Sequence, residues 1–126
     1  MAQLSAYFLA RIRSFGYAFR GIAVFFRTQP HAQIHLLAVG LILLVGWRTG
    51  LDAGEWCLIL LCMGLVLAAE AMNTALEFLA DRVSKEHHPL IAHAKDVAAG
   101  GVLLSVIFAA AVWAIIHLPK FWAMLQ

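Results

Sequence analysis

Three long apolar stretches follow one amphipathic stretch along the chain, and each has the length of a helix. Residues 28–47 contain no Asp, Glu, Lys or Arg, a second apolar stretch begins near Trp56, and residues 97–119 contain no charged side chain. A helix needs about twenty predominantly apolar residues to cross the hydrocarbon core of a bilayer. The pattern therefore predicts three membrane-spanning helices, over residues 31–49, 55–82 and 95–118.

The N-terminal stretch, residues 5–29, combines an apolar face rich in aromatic side chains with a separate basic face. Arg13, Arg20 and Arg27 recur every seven residues on the basic face. The apolar face consists of Phe8, Ile12, Phe15, Phe19, Ile22 and Phe26. A helix of this kind lies in the membrane interface. We therefore expect an amphipathic surface helix ahead of the first span.

Short polar segments separate the predicted helices. Pro30 biases the residue before it away from helical angles, which predicts a break between the surface helix and the first span. Residues 49–55 form a turn in which Asp52 is suited to cap the second span. Residues 84–94 form a polar connector, with solvated histidines at positions 87, 88 and 93. His117 is expected to be an amphipathic residue at the end of the third span.

The composition excludes an ordinary soluble domain and indicates one membrane domain over residues 1–126. Hydrophobic residues make up 63% and charged residues 13% of the chain, against roughly half and a quarter in soluble domains. A net charge of +2 is too small to indicate a nucleic-acid partner. Cys57 and Cys62 have no second pair, so neither a disulfide framework nor a zinc site is indicated. No cleavable signal peptide is predicted, because arginines interrupt the first apolar stretch.

The distribution of basic residues predicts the orientation. Residues 1–27 and 81–95 lie on one side of the membrane and together contain seven of the nine Lys and Arg residues. Cytoplasmic segments carry the excess of Lys and Arg in multi-pass proteins. We therefore expect a cytoplasmic N-terminus and a C-terminus on the outer side.

Four polar side chains share one face near the cytoplasmic end of the second span. Glu70, Asn73, Glu77 and Asp81 fall within an arc of about 80° on a helix, and we call them the carboxylate stripe. A charged side chain within hydrocarbon costs about 2.5–3.5 kcal/mol even on lenient scales. A helix end that simply emerges into water would explain Asp81 and partly Glu77, but it explains Glu70 poorly. The stripe is therefore a candidate functional site.

Carboxylates, an amide and nearby cations are suited to the chemistry of a magnesium–nucleotide complex. Magnesium uses one or two carboxylates together with phosphate and water, and cationic side chains such as Lys95 offset phosphate charge. A further carboxylate can accept the proton of an alcohol. A proton or ion pathway is the competing interpretation. No P-loop motif is present.

His31 and His35 have a metal-compatible spacing but no third ligand, which favours contact with lipid headgroups or capping of the helix end.

The motifs of the chain resemble those of the prokaryotic diacylglycerol kinase family, which includes the undecaprenol kinases. The similar segments are S-F-G-Y-A-F-R-G-I, E-A-M-N-T-A-L-E-F-L-A-D-R-V, H-P-L-I-A-H and A-K-D-V-A-A-G-G-V-L-L. They cover nearly the whole chain. The resemblance implies a small homotrimer in the bacterial inner membrane, with its sites between protomers at the cytoplasmic face. It also implies transfer of the γ-phosphate of ATP to a lipid alcohol with Mg²⁺.

The resemblance assigns roles to positions of this chain. Glu70 is similar to the general base that acts on the lipid hydroxyl, and Glu77 to a magnesium ligand. The positions that resemble the family's nucleotide-facing surface are Asn73, Lys95, Asp96, Asp81, Tyr17 and Arg13.

One position departs from the family pattern. The family pattern E-x-N-x-x-I-H reads Q-P-H-A-Q-I-H here, which places Gln29 where a second metal-binding glutamate is expected. A lipid-phosphate phosphatase, or a non-catalytic membrane subunit that binds nucleotide or an ion, therefore remains an alternative to the kinase. Ile34 and His35 resemble the undecaprenol kinase branch, which favours undecaprenol as substrate over diacylglycerol.

Overall fold

The computed structural model describes residues 2–83 and 88–126, which form four helices and, within these ranges, no strand. The helices are α1 (Ala2–Thr28), α2 (Pro30–Thr49), α3 (Ala53–Val83) and α4 (Pro89–Met124). The last three are each long and apolar enough to cross a membrane. The predicted all-α membrane fold, with one further helix ahead of three spans, is confirmed.

The chain bends between α1 and α2 where Pro30 predicts a break. Gln29 has extended backbone angles, φ −109° and ψ 111°, and Pro30 is the first residue of α2. The Gln33 side chain donates a hydrogen bond to the Phe26 carbonyl, with 3.2 Å between Nε2 and the oxygen. Phe25 and Ala32 are buried at this junction. This hydrogen bond and the buried side chains therefore hold the last turn of α1 against the first turn of α2.

A tight turn with a reciprocal cap joins α2 to α3. Gly50 has φ +65°, a left-handed conformation that favours glycine after a helix. The Asp52 carboxylate accepts a hydrogen bond from the Glu55 N–H, and the Glu55 carboxylate accepts one from the Asp52 N–H, both at 2.9 Å. This arrangement is a capping box. It confirms that Asp52 caps the second span.

The turn between α2 and α3 also contacts the C-terminal part of α4. Lys120 Nζ lies 2.9 Å from Glu55 Oε2 and 3.5 Å from the Gly50 carbonyl oxygen. We call this end of the bundle, formed by residues 50–55 and 117–121, the turn end. The opposite end carries the carboxylate stripe.

His117 is not an amphipathic residue at a helix end, as the sequence suggests, but a buried one. Its side chain is fully buried, stacks on Trp113 with 4.6 Å between ring centroids, and places Nδ1 3.1 Å from the Trp113 carbonyl oxygen. Phe121 packs at the edge of the same cluster. The face of α4 that carries these rings turns inward, and a linear hydropathy pattern does not reveal this.

Helix α4 is longer at both ends than predicted. It begins at Pro89, so residues 89–94 of the predicted connector are helical, and His88 caps the helix by accepting a hydrogen bond from the Leu90 N–H at 3.3 Å. His87 lies outside the described residues, whereas His88 and His93 are exposed as predicted. At the other end α4 continues through Pro119 to Met124. Pro119 removes only one backbone donor near the helix end, where neighbouring groups tolerate the loss.

Helices α3 and α4 form the main packing unit, and α2 packs against both of them less extensively. Gly46 of α2 is buried where this packing is closest. A methyl group added there would lie 2.8 Å from Leu51 Cδ1 and 2.9 Å from Trp56 Cη2, whereas one added at Gly40 would meet nothing within 4 Å.

We expect Gly46→Ala to destabilise the protein relative to Gly40→Ala by about 1–3 kcal/mol, the range typical of overpacking. Both substitutions lie in α2 and gain the same helix propensity, so their difference isolates the contact with Leu51 and Trp56. Thermal unfolding midpoints in detergent would measure the difference. Equal midpoints for the two variants would contradict the close packing at Gly46.

Candidate active site

The Glu70 side chain is buried on the face of α3 that turns toward the protein. Glu70 is 5% exposed and Thr74, one turn further along, is 4% exposed. Ile59 and Val66 are buried on the same face. Within the described residues the Glu70 carboxylate forms neither an ion pair nor a hydrogen bond. A helix end emerging into water does not account for this burial, which is costly for a carboxylate without a partner.

Asn73 and Glu77 form a pair one and two turns beyond Glu70. Asn73 Nδ2 donates a hydrogen bond to Glu77 Oε1 at 3.3 Å. Asn73 Oδ1 is buried and has no hydrogen-bond partner. The pair therefore has one amide oxygen and one carboxylate oxygen without a hydrogen-bond partner among the described residues.

The third polar contact joins α3 to α4. Lys95 Nζ lies 3.0 Å from Asp81 Oδ1, and the two side chains are 38% and 69% exposed. Asp81 lies in the last turn of α3 and Lys95 in the second turn of α4. Asp96, the next residue of α4, is exposed and has no partner among the described residues.

The remaining predicted site residues lie on or beside α1. Tyr17 and Arg13 are exposed, and the Arg20 guanidinium lies over the Tyr17 ring at 5.0 Å from its centroid. Gln29 occupies the extended position between α1 and α2, and its side chain makes no capping hydrogen bond. In the described part of this single chain, neither Tyr17 nor Arg13 forms a hydrogen bond or ion pair with the carboxylate stripe.

The donor set suits magnesium better than a metal held entirely by protein. No three His, Cys, Asp or Glu side chains converge among residues 2–83 and 88–126. Magnesium is commonly held by one or two carboxylates, with phosphate oxygens and water as the other ligands. Glu77 and the unpartnered Asn73 Oδ1 are hard oxygen donors of this kind. The residues present therefore fit a magnesium ion that arrives with phosphate.

An apolar cavity of about 270 Å³ lies between α2, α3 and α4. Its wall includes His35 on α2, Met63, Val66 and Leu67 on α3, and Trp113 on α4. Val66 and Leu67 precede Glu70 by one helical turn, about 5 Å along the axis. The sequence did not reveal this cavity or the part played by Trp113. Ala109 and Ala110 also line it, and their small side chains leave room for it.

These groups supply the parts of a phosphoryl transfer to an alcohol. A buried carboxylate without a partner can accept a proton. A carboxylate–amide pair can hold a divalent cation, and an ammonium group can offset phosphate charge. The adjacent cavity is almost wholly apolar and suits a hydrocarbon chain.

Comparison with known proteins gives one family and several relatives. A family model described as prokaryotic diacylglycerol kinase matches residues 16–117. The undecaprenol kinase of Bacillus subtilis is 37% identical over 108 residues, which cover 86% of this chain and 88% of that protein. The diacylglycerol kinase of Escherichia coli K12 is 28% identical over 116 residues, with 92% and 95% covered. That of Pseudomonas aeruginosa is 35% identical over 104 residues, with 82% and 84% covered.

Proposed function

The chain belongs to the prokaryotic diacylglycerol kinase family and is a lipid kinase, and from this premise we propose that it phosphorylates undecaprenol with ATP and magnesium. Diacylglycerol is the second candidate substrate. The observation that supports the proposal most directly is the buried Glu70 carboxylate, which lies one helical turn beyond an apolar cavity. Such a placement suits a lipid that has a polar hydroxyl group at the end of an apolar chain.

One observation favours a polyprenol over diacylglycerol. Identity to relatives does not decide between the two lipids, because the undecaprenol kinase of Bacillus subtilis is 37% identical and the diacylglycerol kinase of Pseudomonas aeruginosa is 35% identical. His35, the residue that resembles the undecaprenol kinase branch, lines the cavity. The almost wholly apolar wall of the cavity suits the hydrocarbon chain of either lipid.

In the proposed reaction Glu70 takes the proton from the lipid hydroxyl while that oxygen forms a bond to the γ-phosphorus of ATP. The bond between the γ-phosphorus and the bridging oxygen breaks, and ADP leaves with the electron pair. Lys95 offsets the negative charge of the phosphates. Glu77, Asn73 and Gln29 would hold magnesium, which supplies positive charge against the phosphate oxygens when it is bound.

Gln29 alters the magnesium site rather than the reaction in this proposal. Its side-chain oxygen is free of any capping hydrogen bond and offers a neutral ligand in place of a carboxylate. The site then lacks one negative charge, and we expect it to require more magnesium. A phosphatase activity is the weaker alternative, because the relatives at 37% and 35% identity are both kinases.

We also propose that the protein acts as a homotrimer in the bacterial inner membrane, with the carboxylate stripe and the N-terminus on the cytoplasmic side. The excess of Lys and Arg at this end supports the orientation. The exposed positions of Tyr17 and Arg13 on α1 support a site that is completed by a neighbouring copy. ATP is available on this side of the membrane.

The test of the proposed function is a reconstituted assay. Purified protein in lipid vesicles would receive ATP labelled at the γ-phosphate, with undecaprenol and diacylglycerol offered side by side. We expect label in undecaprenol above diacylglycerol, and no label after magnesium is chelated. A folded protein that labels neither lipid would contradict the proposal, and preferential labelling of diacylglycerol would reverse the choice of substrate.

A further inference from the structure

We propose that Asp81 is a positioning residue, which holds the Lys95 ammonium group in place for the phosphates and does not itself bind nucleotide or metal. The inference rests on the proposed function. It assigns to Asp81 a role different from the nucleotide contact that the sequence resemblance implies.

The geometry of the ion pair leaves Lys95 free to bind a further anion. Asp81 Oδ1 accepts one hydrogen bond from Lys95 Nζ at 3.0 Å. An ammonium group has three donors and no acceptor, so two donors remain. The Lys95 side chain is 38% exposed, so these donors are accessible. A phosphate oxygen can therefore bind Lys95 without displacing Asp81.

A lysine that is already held in place binds an anion at a lower entropic cost. The lysine side chain is long and flexible and loses rotamer freedom when it is fixed. Asp81 anchors Lys95 from a different helix, across the connector between α3 and α4. Ordering a group before its ligand arrives raises affinity by reducing the cost of binding. Because the pair is partly exposed, solvent screening keeps this effect modest.

The surroundings of Asp81 argue against a direct contact with nucleotide or metal. One of its oxygens is taken by Lys95, and a free carboxylate beside phosphates would repel them. The orphaned oxygen donor that suits a metal is Asn73 Oδ1, two turns earlier on α3. Asp81 and its partner neutralise each other, which removes the repulsion and keeps the ammonium group available.

The experiment is a double-mutant cycle on the full-length protein in detergent or vesicles. The proteins are wild type, Asp81→Asn, Lys95→Met and the double variant. Displacement of a fluorescent ATP analogue measures binding, and steady-state kinetics separate KM for ATP from kcat. We expect Asp81→Asn to raise KM and weaken binding roughly three- to fivefold with kcat unchanged. In the Lys95→Met background the same substitution is expected to cause no loss of affinity and to improve binding slightly, because the unpaired Asp81 carboxylate would repel phosphate.

Two controls separate positioning from general stability. Asp81→Glu keeps the carboxylate and is expected to restore part of the nucleotide affinity. Glu55→Gln removes a similar ion pair, with Lys120 at 2.9 Å, from the turn end. It is expected to lower the thermal unfolding midpoint without changing KM for ATP, because it lies far from the stripe.

An equal loss of ATP affinity from Asp81→Asn in both backgrounds would overturn the inference and indicate a direct contact. An unchanged affinity in the wild-type background would overturn it as well. These outcomes leave the proposed function intact, provided that the wild-type protein binds ATP and labels lipid. A wild-type protein that does neither would overturn the proposed function and this inference together.

Discussion

Glu70→Gln is expected to lower kcat for lipid phosphorylation by about 10²–10⁴, the range typical of a lost general base. The amide has almost the shape of the carboxylate but cannot accept the proton of the lipid hydroxyl. Within the described residues Glu70 has neither an ion pair nor a hydrogen bond to lose, and it is 5% exposed. Because the amide fits the same space, the variant should fold about as stably as wild type.

Thr74→Val is the matched control for this substitution. Thr74 is buried to the same extent on the next turn of α3, and valine has nearly the shape of threonine without its hydroxyl group. We expect this variant to retain activity, with the loss confined to position 70. ATP affinity, measured by displacement of a fluorescent analogue, should be unchanged in Glu70→Gln. A Glu70→Gln enzyme within tenfold of wild type would contradict the role of a general base.

Glu77→Gln is expected to weaken the magnesium affinity of the nucleotide complex by at least about 100-fold, the upper end of the effect of losing a group beside a metal ligand. With glutamine already at position 29, this substitution removes the carboxylate of the Asn73–Glu77 pair. The 3.3 Å hydrogen bond from Asn73 to position 77 can still form to an amide oxygen. The fold should therefore persist while metal binding fails. Binding of Mn²⁺ with a non-hydrolysable ATP analogue would measure the loss independently of activity.

Gln29→Glu gives the converse test. We expect it to lower the magnesium concentration required for half-maximal activity, because it restores a negative charge to the site. Combined with Glu77→Gln, it should recover part of the lost affinity for Mn²⁺. If Gln29→Glu changes neither quantity in either background, Gln29 does not lie at the metal.

The parts of the structure that the sequence predicted well are those decided by local pattern or by large energetic penalties. A stretch of twenty residues without charge is expected to lie in the hydrocarbon core. Pro30 and Asp52 affect the backbone only within one turn of their own positions. Glu70 was identified as a candidate site residue because placing a carboxylate so far from a helix end, within hydrocarbon, costs free energy. None of these inferences required knowledge of which helices are neighbours.

The parts that were missed depend on contacts between helices. His117 reads as polar in a linear pattern, yet it is buried because α4 turns the Trp113–His117 face inward. The cavity exists only where three helices meet. The choice of Asp81 as the partner of Lys95 likewise depends on how α3 and α4 come together across the connector. The helical start at Pro89 was missed because the polar composition of the segment suggested a loop.

The ion pairs at opposite ends of the α3–α4 unit fix its register. A slip of α4 by one turn, about 5.4 Å, would break Lys95–Asp81 and Lys120–Glu55 together. Helix α3 has 31 residues and is about 46 Å long, well above the roughly 30 Å of hydrocarbon in a bilayer. These two contacts favour a single register, so we expect α3 and α4 to meet a thicker or thinner membrane mainly by tilting together. If Glu70 is the general base, its depth in the membrane changes with that tilt, and lipid phosphorylation is expected to depend on membrane thickness.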